Sequence, residues 1–202
     1  KRDWSSDVCS SDLEIADYCG RKAEVAAITE AAMRGEIADY AESLRRRVAL
    51  LAGLDVDTLA RVYEERMTLS PGAQTLVEHA HAAGLRTLLV SGGFTFFTDR
   101  LEDKLGLSFA RSNTLGIENG RLTGTVEGEI VDADVKARTV AEICARLGVP
   151  TARAIVMGDG ANDLKMMKLA GLSVAYHAKP VVRAQASLAL RRRTLARFGR
   201  SR

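Results

Sequence analysis

Two short apolar runs in this chain end in glycine-rich polar turns that lead straight into helical patterns, and this arrangement constrains the fold more than any other feature. Leu85-Arg86-Thr87-Leu88-Leu89-Val90 ends in Ser91-Gly92-Gly93, and Ala154-Ile155-Val156-Met157 ends in Gly158-Asp159-Gly160-Ala161-Asn162-Asp163. Runs of this length, apolar on both faces and bounded by turns, predict buried parallel strands. A third strand is expected over 172–176, and helices over 94–105, 134–147 and 164–170. Ser70 as N-cap with Pro71 at the first helical position predicts another helix, running to residue 83. Residues 113–131 alternate and carry Asn119-Gly120, a strong hairpin signal. Strands alternating with helices imply an α/β fold on an open parallel sheet, with the functional site at the carboxyl ends of its strands. Both glycine-rich turns fall there.

The rest of the chain is organised differently. From Glu14 to about Thr68 the apolar positions Ile15, Tyr18, Val25, Ile28, Met33, Leu44, Val48 and Leu51 recur at helical spacing, which predicts a small helical bundle. The first thirteen residues, KRDWSSDVCSSDL, have neither a strand-like apolar run nor a helical period, and read as a leader foreign to the fold. The last fifteen hold Arg191, Arg192, Arg193, Arg197, Arg200 and Arg202 and no acid, an off-pattern basic tail. Setting those six aside leaves 23 basic residues against 26 acidic ones, so the net +3 comes from the tail and no nucleic-acid surface is indicated. No apolar run approaches the roughly 20 residues of a membrane span, and the N-terminus lacks a signal-peptide layout. Cys9, Cys19 and Cys144 are an odd set without Cys-x-x-Cys spacing, which argues against disulfides or zinc. A cytoplasmic protein with neither a membrane nor a nucleic-acid partner is expected.

Chemistry concentrates in three places. Asp159 and Asp163, four residues apart just past a strand end, suit a hard cation such as Mg²⁺ that also takes phosphate oxygens; the alternative is an acidic turn capping a helix. Ser91 and Gly92 offer a hydroxyl and main-chain N–H groups at a helix start, a cradle for phosphate oxygens, although a tight strand-to-helix turn uses the same residues. Lys136 opens the helix after the hairpin. Alone it reads as a solvated surface charge, but beside strand-end carboxylates and a phosphate an ammonium would offset their repulsion.

In this order, Ser91, Lys136 and Asp159 with Asp163 resemble the second, third and fourth motifs of the haloacid dehalogenase superfamily. VSGGF at 90–94, NGRLTGTVEGEIV at 119–131, MGDGANDLKMMKLAGLSVAYHAKP at 157–180, EVAAITEAAMRGE at 24–36 and SLRRRVALL at 43–51 narrow the resemblance to the phosphoserine phosphatase family, over about 14–186. The resemblance implies a Rossmann-like core (70–187) with a helical cap (14–69) inserted after the first strand. It implies Mg²⁺-dependent hydrolysis of a small phosphomonoester, O-phospho-L-serine, to L-serine and phosphate, the last step of serine biosynthesis. By position, Ser91 and Gly92 would bind phosphate, Lys136 would stabilise the phosphoenzyme, Asp159 would hold Mg²⁺ with Asp163 in support, and Asn162 would contact the phosphoryl group. Arg47 would pair with the substrate carboxylate, for which a guanidinium fork is suited. Met33 and Tyr40 would line the pocket. On residue type alone, Arg47 is one of three successive arginines, of which at least two face solvent, and Met33 is ordinary core filler.

The chain departs from that family at its first motif, an apolar strand ending in Asp-x-Asp-x-Thr whose first aspartate attacks phosphorus and whose second is general acid and base. No such series occurs in the 202 residues. Ungapped alignment sets Lys1 at the nucleophile position, Asp3 at the acid position and Ser10 where a substrate-binding glutamate belongs. The first core strand is therefore missing, and the chain as it stands is expected to be inactive and, with a bare sheet edge, poorly soluble. Two other readings stay open: a phosphatase or phosphotransferase for another small phosphomonoester, and a catalytically dead binding relative.

Overall fold

A computed structural model describes residues 11–37 and 39–190. Lys1, Asp3, Ser10, Cys9 and the six tail arginines lie outside the described residues. The elements run α1 (Ser11–Tyr18), α2 (Lys22–Met33), α3 (Tyr40–Ala49), α4 (Asp57–Arg66), α5 (Ala73–Ala82), β1 (Leu88–Phe94) and α6 (Thr95–Leu105). There follow β2 (Phe109–Glu118), β3 (Arg121–Glu127), α7 (Ala133–Arg146), β4 (Ile155–Gly158), α8 (Leu164–Leu169), β5 (Leu172–Tyr176), α9 (Pro180–Arg183) and β6 (Leu188–Leu190). The class is the expected α/β. Among the described residues the strands form two three-stranded sheets, β1-β2-β3 and β4-β5-β6, in place of one open sheet. No described helix is long and apolar enough to cross a membrane.

The chain divides into two compact units. The first takes the described residues up to Leu69 together with Ser91–Gly106 and Ser112–Ile130. It buries Ile15, Val25, Leu44, Val48 and Leu51, which belong to the helical period read from the sequence, and also Leu59 and Val62 on α4, completely or nearly so. Asp39 caps α3 by accepting the Ala41 N–H. The hairpin β2–β3 turns at Asn119 and Gly120, at φ 50° and 74°, the left-handed pair that a two-residue connection requires. Main-chain bonds from Gly53 N to Leu122 O and from Leu122 N to Leu54 O tie the helical segment to that hairpin. The boundary expected after Leu13 falls inside α1, where Ser11 and Asp12 are buried. A polar residue is tolerated there because Asp12 is paired with Arg47.

The second unit takes Ser70–Val90, Leu107–Arg111 and the described residues from Val131 on. Its sheet is parallel throughout: Met157 pairs with Val174 and Gly158 with Ala175, while Val174 pairs with Leu188 and Tyr176 with Leu190. Val140, Cys144, Val156, Met166, Met167, Ala175 and Val182 form the core between the sheet and α7 and α8. Leu188–Leu190, expected to begin the basic tail, is a strand on β5. A three-residue edge strand has too little pattern to show against an arginine run.

Two expected boundaries shift for local reasons. The helix placed from Ser70 starts at Ala73: Ala73 N donates to Ser70 O and Gly72 has φ 85°, so Ser70-Pro71-Gly72-Ala73 is a type II turn. Strand β1 begins at Leu88 and runs on through Gly92 and Gly93 to Phe94. One close approach is a test of the packing. A Cβ on Gly171, which leads into β5, would run into the Ala152 carbonyl, 2.8 Å from its carbon. Gly171→Ala is therefore expected to cost about 1–3 kcal/mol in chemical denaturation, and unchanged stability would contradict that contact.

Candidate active site

The second unit assembles its polar residues where β4 ends. After Gly158 the chain turns through Asp159 and Gly160 into a single 3-10 turn, Ala161–Asp163, that leads into α8. Asp163 is 4% exposed. Its Oδ1 accepts from Lys136 Nζ at 2.8 Å, and its Oδ2 accepts the N–H groups of Asp159 at 3.0 Å and Gly160 at 3.2 Å. Lys136 comes from the first turn of α7, whose N-cap Asp132 accepts the Val135 N–H at 2.8 Å. At 1% exposure Lys136 is not the solvated charge that its residue type suggests. A lysine is buried this far only when paired, and its partner here is Asp163.

The pairing separates the two carboxylates that their spacing had suggested as joint metal ligands. Asp163 spends one oxygen on an ammonium and the other on two amides, so it holds the loop. Asp159 stays half-buried. Its pKa is raised, first by burial and then by the negative charge of Asp163, with Lys136 and Lys179 pulling it back. The Lys179 N–H also donates to the Asp159 carbonyl at 3.0 Å, which fastens the turn after β5 to this loop. Sequence reading missed Lys179; its place just past the end of β5 was the available signal. Asn162 lies within the 3-10 turn.

The residues present fit a hard divalent cation. Asp159 is an oxygen donor whose charged form is disfavoured by its surroundings, a penalty that a bound cation would offset. A Cβ on Gly158 would meet Asp163 Cβ at 2.5 Å and Oδ2 at 2.7 Å, so glycine is what lets the Asp163 carboxylate fold back against this loop. Among the described residues no group of three or more His, Cys, Asp or Glu is placed to hold a metal. A cation here would lean on Asp159, water and phosphate oxygens, a mode that suits Mg²⁺ better than zinc.

In the first unit, Ser91 is 2% exposed and its Oγ accepts the Gly93 N–H at 3.0 Å. The residues expected at an open helix start, Ser91 to Gly93, therefore lie inside β1. Asn113, fully buried on β2 and unforeseen in the sequence, explains why: its Nδ2 donates to Gly92 O at 2.8 Å and Gly93 O at 3.2 Å. No local signal marks such a partner twenty residues away. Of the three arginines on α3, Arg45 and Arg46 are exposed as expected, while Arg47 is buried, donating from Nε to Ser43 O and from Nη1 to Asp12. Met33 is 70% exposed at the end of α2 and Tyr40 37% exposed at the start of α3, so Met33 is not core filler.

The chain as a whole is similar to known proteins in sequence and in fold. The family model for haloacid dehalogenase-like hydrolase matches residues 8–168. A phosphoserine phosphatase of Polaromonas sp. is 59% identical over 181 residues, which cover 88% of this chain and 77% of that protein. The crystal structure of a probable phosphoserine phosphatase from Vibrio cholerae, in unliganded form, superposes with TM-score 0.84 at 43% identity, covering 92% of this chain and 57% of that one. A substrate-bound phosphoserine phosphatase complex superposes with TM-score 0.84 at 35% identity, covering 93% of this chain and 88% of the other. The chain thus spans less than two thirds of the Vibrio protein's length.

Proposed function

This chain belongs to the phosphoserine phosphatases among the haloacid dehalogenase-like hydrolases, and from that premise we propose that its catalytic apparatus serves the Mg²⁺-dependent hydrolysis of O-phospho-L-serine to L-serine and phosphate. The observation that carries the reading is the buried Lys136–Asp163 pair, which fixes the loop bearing Asp159 at the end of β4. A rigid loop with a preset charge costs little reorganisation when phosphate charge develops nearby.

The residue roles follow from chemistry. Asp159 is the ligand for Mg²⁺, which when bound would neutralise and polarise phosphoryl oxygens. Lys136 keeps a positive charge at the site, and Asp163 holds that ammonium and the loop amides in place. Asn162 and the Ser91 hydroxyl donate to phosphoryl oxygens, with Gly92 giving close main-chain approach. Arg47 receives the substrate carboxylate, and Met33 and Tyr40, both exposed on the cap helices, flank the amino acid. The cap spans 14–69 and the core 70–187 in this reading. A cytoplasmic setting accords with Cys19 and Cys144 being free thiols. The attacking carboxylate is not among the described residues, and the 202 residues as they stand are inactive in this account.

A substrate comparison tests the assignment. With a strand ending in Asp-x-Asp-x-Thr joined ahead of α1, phosphate release from O-phospho-L-serine should exceed that from phosphoethanolamine, which lacks the carboxylate, by about a hundredfold in kcat/KM. Arg47→Ala should erase most of that preference. A preference unmoved by Arg47→Ala would count against phosphoserine and favour another small phosphomonoester.

A further inference from the structure

The guanidinium assigned to the substrate carboxylate already holds a carboxylate of this chain. Arg47 Nη1 donates to Asp12 Oδ2, with the two side chains 10% and 3% exposed. Asp12 reaches it from the first turn of α1, thirty-five residues earlier in the chain, and Arg47 Nε is anchored on Ser43 O at 3.3 Å within α3. Arg47 has no further hydrogen-bond partner among the described residues beyond these two. The pair is thus one oxygen against one corner of a five-donor fork, a poorer match than the bidentate contact a free carboxylate could make.

We propose that Asp12 is an internal carboxylate ligand of Arg47, so that an α-carboxylate from a small phosphorylated amino acid reaches Arg47 only by displacing it. This rests on the reading of Arg47 as the carboxylate-binding residue. Asp12 is then a specificity-determining residue: it sets how readily the cap accepts a ligand with a carboxylate over one without. Its own environment makes displacement feasible. Burial raises the Asp12 pKa more than Arg47 and the local N–H groups lower it, so the ion pair does not fully offset the loss of water.

Arginine-specific labelling with phenylglyoxal, read peptide by peptide in a mass spectrometer, tests this on the 202-residue chain without needing turnover. Arg47 should label slowly in the parent and about tenfold faster in Asp12→Ala. The exposed Arg45 and Arg46 should keep their rates, which separates release of one side chain from unfolding. Asp12→Asn, nearly isosteric, should give the same acceleration if the Ala variant is poorly folded. In either variant O-phospho-L-serine should protect Arg47 and phosphoethanolamine should not. Equal labelling of Arg47 in parent and variants would overturn the proposal whatever Arg47 binds. Faster labelling with equal protection by both compounds would also overturn it, by showing that Arg47 does not select a carboxylate.

Discussion

Lys136→Met should destabilise the chain by about 3–5 kcal/mol, the range for removing one partner of a buried ion pair. The substitution keeps the length and the apolar stem of the side chain but leaves the Asp163 carboxylate, 5% exposed, without its ammonium. The two amides of Asp159 and Gly160 still reach its other oxygen, so the loop loses half of its tether. Urea denaturation measures the loss. The double variant Lys136→Met, Asp163→Asn should recover at least about 1 kcal/mol relative to the sum of the single changes, because the second change removes the stranded charge. Strict additivity, or a Lys136→Met loss below about 1 kcal/mol, would mean that the two side chains do not meet as a buried pair.

Much of this site could be read before the structure, for identifiable reasons. The loop from Gly158 to Asp163 announces itself because an apolar strand, two glycines and two aspartates in six positions leave few other roles. The Asn119-Gly120 turn is equally plain, since positive φ at two successive positions selects those residues. Pro71 was ambiguous: proline suits both a first helical position and the second position of a turn, and Gly72 in the left-handed region decided for the turn. What stayed hidden depends on partners distant in the chain. Asn113 draws Gly92 and Gly93 into β1 from across the sheet. The pairs Arg47–Asp12 and Lys136–Asp163 join residues 35 and 27 positions apart, so neither the burial of Lys136 nor the occupation of Arg47 shows in any local pattern. β6 is recognisable only through its partner β5.

The largest effect expected on activity comes from supplying the attacking group. Lys136, Asp159 and Asp163 can hold charge, a cation and a loop, but none of them replaces a carboxylate aimed at phosphorus, because Asp163 is bonded on both oxygens and Asp159 is assigned to the ion. Loss of a nucleophile from an otherwise intact active site costs on the order of a millionfold in kcat. Positioning and charge stabilisation alone should therefore leave turnover below detection. Joining a strand that ends in Asp-x-Asp-x-Thr ahead of α1 should restore Mg²⁺-dependent turnover, and Asp159→Asn in the restored chain should remove most of it by weakening the hold on the ion.

Phosphate release from O-phospho-L-serine in Mg²⁺ buffer, measured side by side for the 202-residue chain, the strand-restored chain and its Asp159→Asn variant, tests this most directly. Release is expected only from the strand-restored chain with Asp159 intact. Turnover by the 202 residues alone, or a restored chain indifferent to Asp159→Asn, would contradict it.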